Sequence, residues 1–344
     1  MYFEVVLHLL FAQFICCMGA SSLHWYAPFY SGGGYSSEAL DFVSAAVSTN
    51  ISVVVYQHGD SINNRYVHGM LSRSNRDILY AHDFDRIQTV GIFGSDGVRI
   101  NICHSEPGAW SVPTPKYRTS HSCPPPAGMN GMQYNIGRTM FETNTIPSGW
   151  ANRINFMDEI WVPTEFSRKA FINAGVDMEK LRVMPEPVDT NFYRPVDIGN
   201  SAVVEAVSSG SLKDLLLRYR QPNVADLRDG EVALSEQPTI FLFVGKWERR
   251  KGVKELLVAF LDEFCSNICE SNVFLVILSS QYHSAEPLST KLLKILAEIS
   301  FSDGRSLPPV ILLEDIDQID LPVMYSLANA VVSFGAVMAS KLHD

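Results

Sequence analysis

The sequence predicts an α/β protein built from two domains that each contain a parallel sheet. Short apolar runs rich in β-branched residues alternate with amphipathic segments, which is typical of strands joined by helical crossovers. The alternation stops in a polar stretch at 196–237 and then begins again. A length of 344 residues also favours two domains over one.

In the first half, the pattern predicts six strands and two helices. A helix at 37–48 follows the first strand, and a helix at 166–174 ends at Gly175, a common residue at helix C-termini. These elements make up an N-terminal domain at 23–195. The predicted strands are 22–27, 51–56, 97–103, 132–141, 158–162 and 181–184.

The polar stretch at 196–237 is interpreted as a linker or insertion, and a C-terminal domain is predicted at 238–344. Since no further strand–helix unit follows residue 334, we expect this second domain to be incomplete. Its predicted helices run from about 252 to 266, at 288–300 and at 322–328. Its predicted strands are 239–244, 273–278, 310–313 and 330–334.

The composition limits the classes of partner. The net charge of -10 and the isoelectric point near 5.4 argue against a nucleic-acid-binding surface. Hydrophobic residues make up 47% of the chain, which is enough for a sizeable core. Any positive charge that serves a function is therefore expected to be local.

The segment 1–22 is predicted to be a signal peptide. Residues 5–20 are apolar except for His8 and Gln13, and small residues follow. Glu4 replaces the usual basic residue, and the apolar run is short for a membrane span of about 20 residues. We expect a protein of the secretory pathway, in the lumen of the endoplasmic reticulum or Golgi apparatus or secreted. The alternative is an uncleaved signal that associates the chain with the membrane.

In the secretory pathway the sequon Asn50-Ile51-Ser52 could be N-glycosylated and the cysteines could form disulfides. Ser52 opens a predicted strand, which argues against use of the sequon. An oxidising compartment would allow a Cys103–Cys123 disulfide, although their spacing does not establish it. Cys265 and Cys269 share a face of a predicted helix. Because further metal ligands at suitable spacing are not evident, we expect free thiols there and no metal.

The most informative segment lies between the strand at 239–244 and the helix that follows it. It carries four basic residues and ends at Gly252. A helix N-terminus has a partial positive charge, so cations there are unfavourable unless an anion binds among them. Backbone N–H groups and lysines together suit a phosphate or diphosphate. The alternative is a solvated basic turn. The four basic residues are Lys246, Arg249, Arg250 and Lys251.

Two further blocks occur with this loop and with the amphipathic helix at 253–260. The first comprises 137–143, Ile146-Pro147, Trp150 and 157–166, and the second comprises 183–189 and Phe192. Together, in this order, the blocks resemble the retaining glycosyltransferases of family 4. The resemblance extends from about residue 23 to about residue 334. It implies a GT-B architecture of two facing Rossmann-like domains.

The resemblance also implies an activity. Members of the family transfer a sugar from a nucleotide diphosphate sugar to an acceptor, with retention of configuration. The donor diphosphate would be bound by Gly245, Lys246, Lys251 and Gly252. Because lysines and a helix N-terminus neutralise the leaving diphosphate, no metal is expected. The acceptor, whether glycan, lipid or protein, is not identified by the sequence.

A second glycine loop, Gly32-Gly33-Gly34, lies between the first strand and the first helix. Glycines allow a ligand or backbone to approach closely, and the resemblance places Gly33 and Gly34 near the donor phosphates. A turn with a structural role only is the alternative. The spacing nearly matches a dinucleotide fingerprint, but Ser37 replaces the third glycine. A nicotinamide-dependent enzyme is therefore a distant alternative.

Two candidate catalytic residues, His104 and Glu142, follow predicted strands. Parallel sheets bind ligands at the carboxyl ends of their strands, so His104 and the nearby Glu106 are expected to face the site. At the position of Glu142 many family members carry a histidine that contacts the transferring sugar. Glu142 is therefore predicted to bind the acceptor or to stabilise an oxocarbenium-like centre. For each residue the alternative is a structural role.

Three other residues are candidates for the cleft between the domains. Arg138 is predicted to share a face of its strand with Glu142 and to pair with it. Glu186 and Asp189 lie in a segment stiffened by two prolines, and one of them is expected to reach the cleft. A structural role is again the alternative.

The chain departs from the family after the strand predicted at 330–334. Family members carry two glutamates in the following turn, which hold the sugar and ribose of the donor. Here the only acidic residue after Asp320 is Asp344. Two interpretations follow: an active glycosyltransferase, or a catalytically inactive, truncated form that binds a sugar or nucleotide without turnover.

Overall fold

The computed structural model describes residues 23–87, 98–111, 121–126, 132–194, 239–265, 273–280, 286–299 and 310–333. The chain divides into two compact units, Met1–Asp189 and Thr190–Asp344. The predicted signal peptide, the predicted linker at 196–237 and the residues after 333 lie outside the described ranges.

A six-stranded parallel sheet forms the centre of the first unit, with the strand order β2-β1-β3-β4-β5-β6. The order reverses at β1, because β2 lies on one side of it and all later strands lie on the other. The strands are β1 (Leu23–Ala27), β2 (Val53–Gln57), β3 (Arg99–His104), β4 (Gln133–Arg138), β5 (Glu159–Val162) and β6 (Leu181–Val183).

Helices connect these strands. Two 3₁₀ turns, Pro107–Ala109 and Met178–Lys180, follow β3 and precede β6. The helices are α1 (Gly34–Ser48), α2 (Asn64–Gly69), α3 (Arg73–His82), α4 (Phe84–Ile87), α5 (Trp150–Asn155) and α6 (Glu165–Asn173).

Apolar side chains cover both faces of this sheet. Along β1, Leu23 and Trp25 enter one core cluster together with Phe42 of α1, while Tyr26 enters the cluster on the opposite face. Successive side chains of a strand point to opposite faces, so an apolar run of this kind suits a strand covered on both sides. Full burial of a side chain such as Phe42 contributes about 1.5–3 kcal/mol.

The second unit contains a four-stranded parallel sheet with the order β10-β7-β8-β9. Its strand order reverses at β7. The strands are β7 (Thr239–Val244), β8 (Val273–Ser279), β9 (Val310–Glu314) and β10 (Ala330–Val331), and the helices are α7 (Val253–Phe264), α8 (Leu288–Glu298) and α9 (Leu321–Leu327). Core clusters again lie on both faces, and Leu257 of α7 and Leu292 of α8 are fully buried in one of them.

The predicted α/β fold with two parallel sheets is confirmed, and most predicted elements are found within a few residues of their expected ends. One boundary that matters is different. β4 ends at Arg138 and not at residue 141, because the Tyr35 hydroxyl bonds to both the carbonyl and the N–H of Met140. The short helices α2 to α5 were not predicted.

The three cysteines among the described residues are disulfide-bonded. Cys103 and Cys123 form a disulfide, so this option left open by the sequence is realised. Cys265 is also disulfide-bonded, which contradicts the expectation of a free thiol there. Since Cys103 and Cys123 pair with each other, the partner of Cys265 lies outside the described residues. Across the described ranges, no helix has the length and apolar character needed to cross a membrane.

Candidate functional site

The carboxyl ends of β1 and β3 mark the switch point of the first sheet, where open parallel sheets bind ligands. The loop after β1 contains the predicted glycine turn. Gly32 has a φ of +77°, and a Cβ atom there would come within 2.8 Å of the Tyr66 ring, so glycine is required. Gly33 is the N-cap of α1 and has no side chain to cap it. A Cβ at Gly34 would meet nothing within 4 Å.

Behind this loop, Glu38 of α1 is buried at the centre of a polar network. One carboxylate oxygen accepts a hydrogen bond from His104 Nε2 at 2.8 Å, and the other accepts one from the Arg138 guanidinium. Burial by itself raises the pKa of Glu38, but His104 and Arg138 outweigh it and hold that pKa below its ordinary value. The carboxylate is therefore charged and is balanced by one cation.

His104 is fully buried, and its tautomer follows from its partners. The Trp25 indole N–H can only donate, and it lies 3.2 Å from His104 Nδ1, so Nδ1 is an acceptor. The proton is therefore on Nε2, which donates to Glu38. Burial lowers the pKa of His104 against the opposing effect of the Glu38 carboxylate, so the ring is neutral. Both ring nitrogens bond within the protein, which suits a positioning role better than contact with a substrate.

Arg138 is also fully buried, at the carboxyl end of β4. It pairs with Glu38, whereas the sequence predicted Glu142 as its partner. That prediction assumed a strand through residue 141, but β4 ends four residues before Glu142, so the two do not share a strand face. A second guanidinium nitrogen, Nη1, donates to the backbone carbonyl of Met184, just after β6. The buried Nε has no hydrogen-bond partner.

Three predicted acidic residues lie closer to solvent than Glu38. Glu142 and Glu186 are exposed, and Glu106 is half-buried just before the 3₁₀ turn that follows β3. Partial burial, the Glu38 charge and the Glu142 charge raise the pKa of Glu186, while Arg138 lowers it. Glu142 and Glu186 therefore interact electrostatically at the carboxyl edge of the sheet.

Asp189, the fourth predicted acid, is exposed at the end of the first unit. It acts on Asp41 of α1, whose pKa is raised to about 7 by burial and by the charges of Asp189 and Glu38.

Tyr35 joins the glycine loop to the segment after β4. Its hydroxyl donates to Met140 O at 2.9 Å, accepts from Met140 N at 3.2 Å and lies 3.1 Å from Thr139 Oγ1. These bonds fix the backbone two residues before Glu142. Burial raises the pKa of Tyr35, and the Glu106 charge adds to the effect, so the phenol is neutral.

In the second unit, the predicted basic loop follows β7 at the switch point of that sheet. Residues 249–251 form a 3₁₀ turn, and Gly252 is the N-cap of α7 with a left-handed φ of +64°, a conformation that favours glycine. No side chain caps α7. The first N–H groups of an α-helix have no partner within the helix, so an uncapped N-terminus presents them outward.

The loop itself contains more basic than acidic residues. Four cations and one carboxylate between 245 and 252 give a net charge of +3. Arg250 Nε pairs with Glu248 at 2.6 Å, so Arg250 is partly neutralised. Within the described part of the chain, no carboxylate lies within ion-pair distance of the Lys251 ammonium. Lys246 and Lys251 are both half-buried.

Sequence reasoning missed Glu38, Trp25 and Tyr35, which organise the first site. A signal for Glu38 was present, because it lies among apolar residues of α1 on the side that a sheet would cover. A charged residue at such a position usually has a buried partner. Trp25 gave no such signal, since tryptophan is common in cores. Among the described residues, no cluster of three or more metal-ligand side chains is found.

Comparisons with known proteins give structural likeness only. No family model matches the chain, and no curated protein matches it. Among solved structures, Anabaena Alr3699/HepE in complex with UDP and glucose is similar with 12% identity and a TM-score of 0.47, over 92% of this chain and 74% of that chain.

Two further solved structures are similar to the same degree. The alpha,alpha-trehalose-phosphate synthase (UDP-forming) from Burkholderia xenovorans in complex with glucose-6-phosphate has 11% identity and a TM-score of 0.49, over 91% and 79% of the two chains. An E. coli structure described as trehalose-6-phosphate bound with UDP-2-fluoro glucose also has 11% identity and a TM-score of 0.49, over 92% and 78%. Likeness at this level does not identify a family.

Proposed function

We propose that this chain is a glycosyltransferase that uses a nucleotide diphosphate sugar as donor. The observation that carries the proposal is the loop after β7. An uncapped helix N-terminus, a glycine turn and a net charge of +3 lie together at the carboxyl end of the first strand of a parallel sheet. This arrangement supports binding of a diphosphate, the group that leaves when such a donor reacts.

The proposed chemistry needs little from the protein beyond charge and position. The bond between the anomeric carbon and the diphosphate oxygen breaks, and an acceptor hydroxyl bonds to that carbon. Lys246, Lys251 and the first N–H groups of α7 stabilise the charge that develops on the diphosphate, which takes the hydroxyl proton as it leaves. No metal is required for this step, because the loop supplies the positive charge. The resemblance to family 4 supports retention of configuration at the anomeric carbon.

In the first unit, we assign contact with the sugar or acceptor to Glu142. It is exposed, it lies at the carboxyl edge of the sheet, and the backbone before it is fixed by Tyr35. A carboxylate there suits a hydrogen bond to an acceptor hydroxyl or stabilisation of a positively charged sugar. His104 is assigned a supporting role because both of its ring nitrogens are engaged.

The nicotinamide alternative has less support. In dinucleotide-binding folds an acidic residue at the end of the second strand binds the ribose. Here β2 ends at Gln57, whose side chain accepts from Tyr30 N and donates to Asp60 O. The position that would bind the ribose is thus a glutamine whose side-chain amide is bonded to the loops after β1 and β2.

A donor assay tests the proposal. The protein is incubated with a panel of nucleotide diphosphate sugars, and release of the nucleotide diphosphate is measured with and without sugar, lipid and peptide acceptors. We expect turnover with at least one donor and a loss of about 100-fold in Glu142→Gln, with binding of that donor retained. The control Glu179→Gln, at the opposite edge of the sheet, should keep full activity. Donor binding without turnover would instead support the sugar- or nucleotide-binding alternative.

We further propose a location in the secretory pathway. The disulfide-bonded Cys103, Cys123 and Cys265 support it, because disulfides persist in oxidising compartments. Protein recovered from a eukaryotic secretory host should begin between Ala20 and Leu23. An intact Met1 end on reduced, cytosolic protein would contradict this location, and an intact end on oxidised protein would support the membrane-anchored alternative.

A further inference from the structure

The segment after β6 carries Glu186 and is held at a single point by a buried side chain. Arg138 Nη1 donates to the carbonyl of Met184, and the same guanidinium pairs with Glu38 of α1. Met184 N–H donates to Val162 O of β5 at 2.8 Å. The backbone at Met184 is therefore fixed on both sides, between the sheet and α1.

Two prolines carry this fixed position on to Glu186. Pro185 and Pro187 flank it, and each has its φ held near −65° by its ring. Few backbone dihedral angles between Met184 and Glu186 are therefore free to rotate. The orientation of the backbone at Met184 thus sets the direction in which Glu186 projects. Glu186 is exposed two residues after Met184, at the carboxyl edge of the sheet, and partial burial, the Glu38 charge and the Glu142 charge raise its pKa.

The shape of the arginine side chain matters to this arrangement. Its planar guanidinium presents several donors in fixed directions, so one side chain serves Glu38 and Met184 at once. A lysine has one ammonium on a flexible stem and would satisfy one of the two partners. The Arg138 charge itself is balanced by Glu38, so it has no surplus charge to offer a ligand.

We propose that Arg138 is a positioning residue that holds the segment at 184–189 so that Glu186 projects at the carboxyl edge of the sheet, the edge that also carries Glu142. Glu38 fixes Arg138, and His104 with Trp25 fixes Glu38. The inference rests on the proposed function for the role of this edge, where Glu142 is assigned to the sugar or acceptor, but the placement of Glu186 is a separate structural claim.

The test compares Arg138→Lys with Arg182→Lys by titrating the glutamate carboxyls with carbon-13 NMR, with Glu186 assigned from Glu186→Gln. Arg182 is a matched control, because its guanidinium also donates to backbone carbonyls, those of Glu179 and Leu181, but on the exposed side of β6. Release of the segment in Arg138→Lys removes burial and negative neighbours from Glu186, so its pKa should fall towards the ordinary glutamate value. Arg182→Lys should leave it unchanged.

Kinetics supply the second measurement. Arg138→Lys should lower kcat about tenfold or more through misplacement of Glu186, with the Kd of the nucleotide diphosphate unchanged. Pro185→Gly frees the same segment without altering the pair of Glu38 and Arg138. It should lower both the Glu186 pKa and kcat, and it is the variant to use if Arg138→Lys does not fold. An unchanged Glu186 titration in the folded variants would overturn the inference. Absence of nucleotide binding in the wild type would overturn the proposed function. The Glu186 titration would then decide the placement of Glu186 independently.

A different observation points to a modification site. Asn50 lies in the turn between α1 and β2, exposed, with a left-handed φ of 59°, and Ser52 is exposed as well. The sequence predicted that Ser52 opens the strand, but β2 begins at Val53, so the sequon precedes it. Bonds from Asn50 N to Val47 O and from Ile51 N to Ala46 O fix the conformation of this turn.

We infer that Asn50 accepts an N-linked glycan. Its side-chain nitrogen would bond to the anomeric carbon of the glycan and lose one proton, while the lipid diphosphate that carried the glycan leaves. The inference rests on the secretory location proposed above. Because α1 separates Asn50 from the glycine loop by 15 residues, about 22 Å along the helix, a glycan there leaves the carboxyl edge open.

Peptide-N-glycosidase treatment of the protein from a eukaryotic secretory host tests this site. The wild type and Ser52→Thr should lose mass on treatment, whereas Asn50→Gln and Ser52→Ala should not. Asn50→Gln should bind nucleotide diphosphates as the wild type does. An unglycosylated wild type, whether secreted or retained in the cytosol, would overturn the inference.

Discussion

In both sheets a glycine turn joins the first strand to a helix, but the charges near the two turns are arranged differently. In each, a loop after the first strand of the sheet leads through a glycine N-cap into a helix without a side-chain cap. In the first unit the charged groups behind the loop are buried and neutralise one another, as Glu38 and Arg138 do. In the second unit the loop itself has a net charge of +3.

This difference in charge indicates a structural role for the first network and a ligand-binding role for the second loop. A buried, balanced network has no charge left for a ligand, so its role is to fix the residues around it. A half-exposed loop with surplus positive charge is unfavourable at a helix N-terminus until an anion binds there. We therefore expect substitutions in the first network to change stability and geometry, and substitutions in the second loop to change affinity.

The largest expected effect on stability is in the first network. Glu38→Ala leaves the Arg138 guanidinium buried without a counter-charge, which should cost about 3–5 kcal/mol in the free energy of unfolding. The double variant Glu38→Leu/Arg138→Met removes both charges and should lose less. Urea unfolding followed by tryptophan fluorescence measures this, with Trp247 replaced by Phe so that the signal comes from the first unit. A double variant less stable than Glu38→Ala would contradict the account.

A smaller effect is expected at the first glycine loop. Gly32→Ala places a Cβ within 2.8 Å of the Tyr66 ring at a positive φ, which should cost about 1–3 kcal/mol. Gly34→Ala is the matched control two residues away, where a Cβ meets nothing within 4 Å, and it should be neutral or stabilising by about 0.5–1 kcal/mol. The same unfolding experiment compares them. Equal losses would show that the loop does not have the described conformation.

The smallest effect concerns pH. The pKa of Asp41 is about 7 in the folded protein, above its ordinary value of 3.8, so the folded state binds a proton more tightly than the unfolded state. Its contribution to stability is present at pH 4 and lost as the pH rises towards 7. Asp41→Asn should therefore gain stability relative to the wild type between these values, by on the order of 1–2 kcal/mol after solvent screening.

The comparison must be made as a difference between the two proteins at each pH. His24 and His58 have pKa values lowered by burial, to about 3 and about 4, and their contributions are lost in the opposite direction as the pH falls below 6.5. These terms cancel between wild type and Asp41→Asn. A stability difference that does not change from pH 4 to pH 8 would contradict the assigned environment of Asp41.

Much of the fold followed from the sequence, because it depends on local patterns. The bounds of β7 were predicted to the residue, since a continuous apolar run ends at a glycine turn. The end of β4 was not, because it depends on a hydrogen bond from Tyr35, more than one hundred residues away in the chain. The helices between β2 and β3 were missed because they are short and polar, as in Arg73–His82.

The site was predictable in part for the same reason. The basic loop is local in sequence, and its residues remain together in the structure. The first network is not local: Glu38 and Arg138 are separated by one hundred residues, and their pairing depends on the order of β1, β3 and β4 in the sheet. Sequence reasoning instead paired Arg138 with Glu142, its neighbour along the chain. The burial of Glu38 and Arg138 together depends on the three-dimensional fold, so it could not be predicted from the sequence.

The central claim is that the loop after β7 binds a diphosphate, and isothermal titration tests it most directly. UDP, GDP and ADP are titrated into the wild type, Lys251→Ala and Lys254→Ala. Lys254 is the matched control, because it lies in the first turn of α7 but pairs with Glu298 at 2.6 Å. The account predicts that Lys251→Ala binds the preferred diphosphate about 10- to 100-fold more weakly, since a charged contact contributes about 1.5–3 kcal/mol, while Lys254→Ala binds nearly as the wild type does. Equal affinities of all three proteins would contradict it.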